Sequence, residues 1–430
     1  MKVLQKLCLG ISCLSLITLL TGLFMANNAL WLPATISLSV SFAIGIGAIP
    51  ALKNYQYTAW IIVAVVAAMA YPNAFLRWGN FDLRNKWLIL IIVQMVMFGM
   101  GIQMSLRDFS GLASTGKGVL IGLLCHFSIM PLMGFMLTKI FHFEPEIAAG
   151  IILIGSCSSG LASNVMVYLA RANLVLSVTV TAMATLAAPF LTPLLMRLLA
   201  GTLIEVKFVN MMMEIIKIVI VPIGAALLHD YLKRASAKGR RNTYIIAMGC
   251  AVWLISLPFG VWDWLSDQLS ATALQSAQVF NFFTGAFIIG TVYHQIYSAN
   301  KKVDGYIPYL SMFGIVYFTT VTTAAGRDNL LHVGFLLFIT SVIHNGAGYF
   351  FGYWLSRLFK LDKNSARTIA FEVGLQNGGM ASGLAGSMGK LATVGLAPAV
   401  FSPWMNISGS ILANYWRKRP QKEDDGNEIR

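Results

Sequence analysis

Glu372 is the residue in this chain with the most chemistry to explain. It is a carboxylate inside FEVGLQNGG, within an apolar stretch long enough to cross a membrane. Charge at that depth is expensive, so an acid kept there reads as functional. Gln376 and Asn377 follow within two turns, and Gly374, Gly378 and Gly379 loosen the helix between them. Carboxylate, amide oxygen and freed backbone carbonyl are hard oxygen ligands that suit a small cation. The structural alternative is an ion pair with Arg367, earlier in the same stretch and nearer its end.

A second interrupted stretch, GSCSSGLASNVMVYLARANL, lies far upstream. Ser163 and Asn164 follow Gly160 there. Ser177 and Thr181, on the next helix, are spaced to share one face. Their oxygens could complete a sodium shell with Glu372, or act only as glue between membrane helices. His126 sits in LLCHFSIMP, and His344 with Asn345 in HNGAGY. An intramembrane histidine is either a satisfied hydrogen-bonding residue or a proton carrier. His142, His229, His294 and His332 read as loop or helix-end residues, without a role. Met211, Met212 and Met213 read as facing lipid or core.

These residues need helices to hold them. Of 430 residues, 57% are hydrophobic and 11% charged, with a mean hydropathy of +0.71. That composition belongs to an all-α polytopic membrane protein. The rule of about 20 apolar residues per span gives about fourteen segments. They lie near 7–26, 31–51, 57–75, 87–105, 118–140, 147–170, 174–200, 208–229, 242–261, 276–298, 305–325, 331–357, 367–389 and 392–416. Two of these, 147–170 and 367–389, are broken by Gly, Ser, Asn or Gln. Interrupted segments in corresponding positions of two halves point to a transporter's binding site.

The net charge of +14 does not indicate nucleic acid, because Lys and Arg sit in short loops between apolar runs. Lys53, Arg107, Lys117, Lys233–Arg241, Lys301, Lys302, Lys360, Lys363, Arg367 and the run Arg417–Arg419 fall on one side. That side is expected to be cytoplasmic, with both termini inside. Arg77, Arg84 and Lys86 fall on the other side and break the rule. Residues 1–25 are read as a retained first helix rather than a signal peptide. The tail after Arg419 is read as disordered. The five cysteines lie in apolar segments without CxxC spacing, which implies neither disulfides nor zinc. No Walker A sequence or nucleophile elbow supports ATP-driven transport or an enzyme.

The strings GLASNVMVYLARANLVLSVTVT, TLAAPFLTPLL, FEVGLQN, HNGAGY, NISGSILANYW and MFGMGIQMSLRDF together resemble the bile acid–sodium symporter family. The matches span about 57–230 and 305–418. The resemblance implies a ten-helix core of two inverted five-helix repeats, in which 147–170 and 367–389 cross as broken helices. Four extra helices remain: two in residues 1–56, and two behind the basic loop in 231–303. The core then occupies 57–230 and 304–418, with 419–430 as a cytoplasmic tail.

The family's sodium sites carry over as Ser163, Asn164, Ser177, Thr181 and Glu372 for one, and Glu372, Gln376 and the Val373 and Leu375 carbonyls for the other. The organic anion is implied near Asn377, His344 and Asn345. Three positions depart from the family. His126 stands where a Gln usually completes the second sodium site, so that site is weakened, lost or pH-sensitive. Ser158-Ser159 replaces Pro-Gly at the first break, and Met405 replaces a His.

The expected function is sodium-coupled uptake of a small organic anion in a bacterial inner membrane, with sodium as coupling ion and no other cofactor. Proton coupling, export, or a non-transporting receptor of the same fold are the alternatives. Bile acids, pyruvate-like acids, pantoate-like acids and sulfated steroids all fit. Oligomeric state is not readable from the sequence.

Overall fold

In lipid, the backbone must satisfy its own hydrogen bonds, and a helix does so within one segment. The computed structural model describes residues 2–49, 52 and 56–419. Lys53 and the tail expected after Arg419 thus fall outside the described residues, apart from Arg419 itself. Helices α1 (Lys2–Phe24) and α2 (Asn28–Gly45) form an antiparallel pair, followed by α3 (Gln56–Ala70), α4 (Lys86–Ile102) and α5 (Leu112–Phe141). The first broken helix is α6 (Pro145–Ser156) and α7 (Leu161–Leu169), and α8 (Leu174–Ala200) follows it. A π-helical turn, Ile216–Ile220, joins α9 (Phe208–Ile215) to α10 (Val221–Arg234). Next come α11 (Ala237–Ser256), α12 (Val261–Gln268), α13 (Ala271–Ala299), α14 (Ile307–Ala325) and α15 (Arg327–Leu358). The second broken helix is α16 (Lys363–Gly374) and α17 (Gly378–Ser387), and α18 (Leu396–Arg417) closes the described chain.

Among the described residues, eight helices are long and apolar enough to cross a membrane. About fourteen were expected. The difference has physical causes. The broken helices are too short in each half, α4 is a shorter apolar helix, and α13 carries Gln, Asn, Thr and His along its length. Two further details were not expected. Residues 261–268 form the short helix α12. Arg77–Trp78 and Phe81–Asp82 pair as a small antiparallel hairpin, β1 and β2, which turns at Gly79 with φ of +60°. In that hairpin Arg84 donates twice to Asp82, at 3.0 and 2.8 Å. These bonds hold the Asp82 carboxyl down at about 2. The basic loop that breaks the charge rule is therefore partly neutralised by its own acid.

The burial pattern is that of a protein solvated by hydrocarbon. Large side chains such as Leu14, Leu198, Phe335 and Leu331 face outward. Polar ones are inside. Ser12 bonds Ser41 at 3.0 Å and Ser15 bonds Ser37 at 2.8 Å, which zips α1 to α2. At the far end of α10, His229 and His294 are buried with their Nδ1 atoms 3.3 Å apart. Both lie toward the helix ends, but they are buried in the contact between the two helices. With Lys233 and Tyr293, which bond Asp304 at 2.7 and 2.6 Å, they fasten α13 to α10.

The two broken helices meet at their breaks. Cys157–Gly160 and Leu375–Asn377 leave helical geometry, and Ser159 and Gln376 pair as an antiparallel bridge. Gly160 donates to Leu375 O at 3.2 Å, and Asn377 donates to Ser158 O at 2.8 Å. Glycine is needed at 160, because a Cβ there would stand 2.8 Å from the Gln376 carbonyl oxygen. Gly160→Ala should therefore cost about 1–3 kcal/mol, the usual range for overpacking. Thermal unfolding in detergent measures it, and unaltered stability would show that the breaks are not in contact.

Candidate functional site

A helix ends with carbonyls that have no intrahelical donor. Inside a membrane protein each needs another partner. Here α6 and α16 both end at the crossing, and every such partner that reaches them is a named side chain or the facing break. Thr192 donates to Ser156 O at 2.7 Å. Gln376 Nε2 donates to Val373 O at 2.7 Å, and Asn345 Nδ2 to Gly374 O at 2.8 Å. His126, fully buried, lies between the two ends, its Nδ1 and Nε2 each 2.8 Å from Glu372 O and Cys157 O. Two acceptors flank a ring that in its neutral form has one N–H to give. His126 thus stands at the joint negative end of two helix dipoles.

On one side of this crossing the expected oxygen cluster is assembled from three helices. Glu372 is fully buried. Its Oε1 accepts from Ser177 at 2.5 Å and its Oε2 from Thr181 at 2.8 Å. Asn164 Oδ1 lies 2.7 Å from Ser177 Oγ and 3.2 Å from Thr181 Oγ1. Ser163 Oγ lies 3.4 Å from Thr181 Oγ1 and gives its own proton to Gly160 O at 2.8 Å. Each of the two bridging hydroxyls thus contacts two acceptors with one proton. Among the described residues, no basic side chain bonds the Glu372 carboxylate. Arg367, the structural alternative, instead donates to Arg419 O at 3.0 Å and stacks on Trp416. A cluster of oxygens around one carboxylate, short of protons, can take a cation as its missing partner.

On the other side lies a cavity of about 260 Å³. Gly160–Ala162 at the start of α7 and Asn377–Gly379 at the start of α17 line it. First-turn N–H groups lack intrahelical acceptors, and this end of a helix favours negative charge. Gln103, Ser311, Ser402 and Asn406 add polar groups, while Val96, Met97, Met100 and Met405 add apolar wall. Asn377 therefore faces the expected space, and its Oδ1 also caps α17 through Met380 N at 3.0 Å.

His344 and Asn345, expected beside the anion, do not line this cavity. His344 Nε2 is tied to Met130 O at 2.8 Å. Asn345 holds Gly374 O and accepts from Ser408 at 2.5 Å. Both are buried behind the crossing and support it. The reason is helical phase: the HNGAGY string fixes which residues are polar but not which way α15 turns them. Sequence reasoning also missed Ser159, which bonds Ser163 at 3.2 Å and Leu375 O at 3.3 Å. Gln103, Ser402 and Asn406 were missed as well. Gln103 and Asn406 lie in MFGMGIQMSLRDF and NISG, strings already conspicuous. Gln376 keeps its Oε1 buried without a partner among the described residues.

Crossed, broken helices with a buried carboxylate cage on one face and helix N-termini on the other define a membrane transporter site. Residues 90–262 match the sodium bile acid symporter family. A protein of Bacillus subtilis (strain 168) named "Uncharacterized sodium-dependent transporter YocS" is 31% identical over 369 residues, 86% of this chain and 92% of that one. An Arabidopsis thaliana protein named "Probable sodium/metabolite cotransporter BASS1, chloroplastic" is 28% identical over 365 residues, 85% of this chain and 74% of its own length. The human "Ileal sodium/bile acid cotransporter" is 38% identical over 106 residues, 25% of this chain and 30% of that protein. The chain belongs to the sodium bile acid symporter family, a family of integral membrane, sodium-coupled transporters and not of enzymes.

Asn345→Leu should leave the Gly374 carbonyl without its donor. A loss of about 1–3 kcal/mol is expected for such a buried orphan. Thermal melts would show it, and a neutral result would return Asn345 to the list of candidate anion contacts.

Proposed function

We propose that this protein couples inward movement of a small organic anion to sodium, by alternating access. The observation that carries the reading is Glu372, fully buried and held among the described residues by the hydroxyls of Ser177 and Thr181. Sodium occupies the cluster of Ser163, Asn164, Ser177, Thr181 and Glu372. The anion, a bile-acid-like or other carboxylate, occupies the 260 Å³ cavity, with Asn377 and the starts of α7 and α17 around it. Core helices α3–α8 and α9/α10 with α14–α18 form two inverted five-helix repeats. Helices α1, α2, α11 and α13 are additions, giving about fourteen spans. Both termini lie in the cytoplasm of a bacterial cell, on the basic-loop argument. The protein thus sits in the inner membrane.

The second family site would use Glu372, Gln376 and the Val373 and Leu375 carbonyls. Two facts of this structure bear on it. Gln376 Oε1 has no partner among the described residues, which suits a cation ligand. His126, however, already bridges the carbonyl ends of both half-helices. We assign His126 the place of a second cation, so that one sodium ion rather than two accompanies each anion.

Sodium, lithium, potassium and choline compared at fixed ionic strength test the first assignment. A ligand present at 100 times its Kd stabilises the folded state by about 2.7 kcal/mol. Sodium should raise the melting temperature selectively, and Glu372→Ala should remain folded but lose that response. A melting temperature indifferent to the cation would overturn sodium coupling, and dependence on pH alone would favour protons.

The stoichiometry is checked separately by sodium titration of binding or uptake. The Hill coefficient should stay near one in the native protein, and His126→Gln should raise it. A native coefficient near two would refute the His126 assignment.

A further inference from the structure

A cavity larger than the one at the crossing lies beside the added helices. It measures about 840 Å³ and lies between α4, α9 with its π turn, the end of α17, and the added segment from Leu257 to Phe282. A second space of about 580 Å³ continues from it between α4, α10 and α13, and the two share Asn281 and Phe282. Their linings differ. The larger has Lys86, Lys217, Glu214, Asp263 and Gln278. The smaller is walled by Ile91, Met95, Phe98, Ala286 and Ile289, with Gln94 and Asn281 as its polar residues. A cleft with charges at one end and hydrocarbon at the other fits an amphiphile.

Charge balance narrows the choice. Two lysines and two acids ring the polar end, so a purely anionic or purely cationic head meets a like charge there. Lys217 is the most enclosed of the four, with a side chain 12% exposed. It bonds Glu214 at 2.6 Å and sits 5.8 Å above the Phe282 ring. Its own carbonyl, in the π turn, accepts from Gln94 Nε2 at 3.0 Å. Such turns recur at functional sites because they re-aim backbone and side chain. Depth is marked by Trp87 and Trp262, which line the same end. Tryptophan collects at the headgroup level of a bilayer.

We propose that this cleft binds one zwitterionic phospholipid of the surrounding bilayer, with its phosphate at Lys86 and Lys217, its ammonium at Asp263 and Glu214, and its acyl chain along α13. The lipid joins the added helices to the transporter core where protein contact alone leaves a gap. Val93 of α4 and Gly383 and Ser387 of α17 line the cleft, whereas Val96, Met97 and Gly379, a turn away on the same two helices, line the cavity at the crossing. No residue of the sodium cluster lines the cleft.

The test is native mass spectrometry and thermal melting of the full chain in detergent, titrated with phosphatidylethanolamine and, separately, phosphatidylglycerol. One phosphatidylethanolamine should be retained per chain and should stabilise it more than phosphatidylglycerol does. Lys217→Met combined with Glu214→Gln removes both charges together, so no orphan carboxylate threatens folding. It should weaken phosphatidylethanolamine binding at least about tenfold, since it removes one contact to the phosphate and one to the ammonium. Gly285→Phe should block the acyl end, since a Cβ there meets only Leu254, at 3.8 Å. Stronger retention of phosphatidylglycerol would overturn the proposal in favour of an anion site. Lipid binding unaffected by either variant would also overturn it. Sodium-selective stabilisation should persist in both variants, so that failure here is distinct from failure of the sodium reading.

Discussion

Everything at the centre of this structure depends on one constraint: two helices are broken where no water can repair the backbone. The breaks survive because each supplies the other's partner. Ser158 O takes Asn377 N, Leu375 O takes Gly160 N, Gln376 reaches Val373 O, and side chains from α5, α8 and α15 reach further helix-end carbonyls. Buried backbone groups left unpaired would each cost a few kcal/mol, about as much as a typical domain can spare. The crossing is thus rigid for a chemical reason, and the same reason fixes where cations and anions can be held. Carbonyl ends face inward at His126, and N–H ends face the cavity.

The same physics explains what could be read from the sequence. Glu372, Ser163, Asn164, Ser177 and Thr181 were legible because acids, amides and paired hydroxyls are conspicuous in hydrocarbon. Their convergence on one cluster follows from the four-residue spacing on α8 and from breaks that bring α7 and α16 to the same depth. His344 and Asn345 were equally conspicuous, but the cavity at the crossing is lined without them. A polar residue in a membrane helix must bond something, and the sequence does not say whether that partner is a ligand or a neighbouring carbonyl. For Asn345 it is Gly374 O and Ser408.

Residues outside that class were harder to see. Gln103, Ser402 and Asn406 are single polar groups on apolar helices, and only the cavity gives them a common purpose. Gly160 looked like one glycine among many until the Gln376 carbonyl appeared beside it. The added helices were legible as length, since residues 231–303 exceed a loop. Their attachment was not. It rests on His229, His294, Tyr293 and Asp304, which lie on α10, α13 and the turn before α14 and meet only when those helices pack.

The closeness of the two candidate binding regions bears on coupling. Glu372, in the oxygen cluster, and Asn377, in the cavity, are separated by Val373–Gln376 alone. Within that segment Gln376 Nε2 grips Val373 O, and the Gln376 backbone meets Gly160. A cation that pulls Glu372 and its hydroxyls together acts on the same short strand that sets the first N–H groups of α17. Linkage requires that the anion then favour the cation to the same degree. Two ligands of opposite charge on opposite faces of one extended strand need no long pathway between them. The strand between them is not slack: Gly374 and Gly378 at its two ends lie against Tyr349 and Ser402, closer than a Cβ would allow, so that a shift at one end is passed to the other.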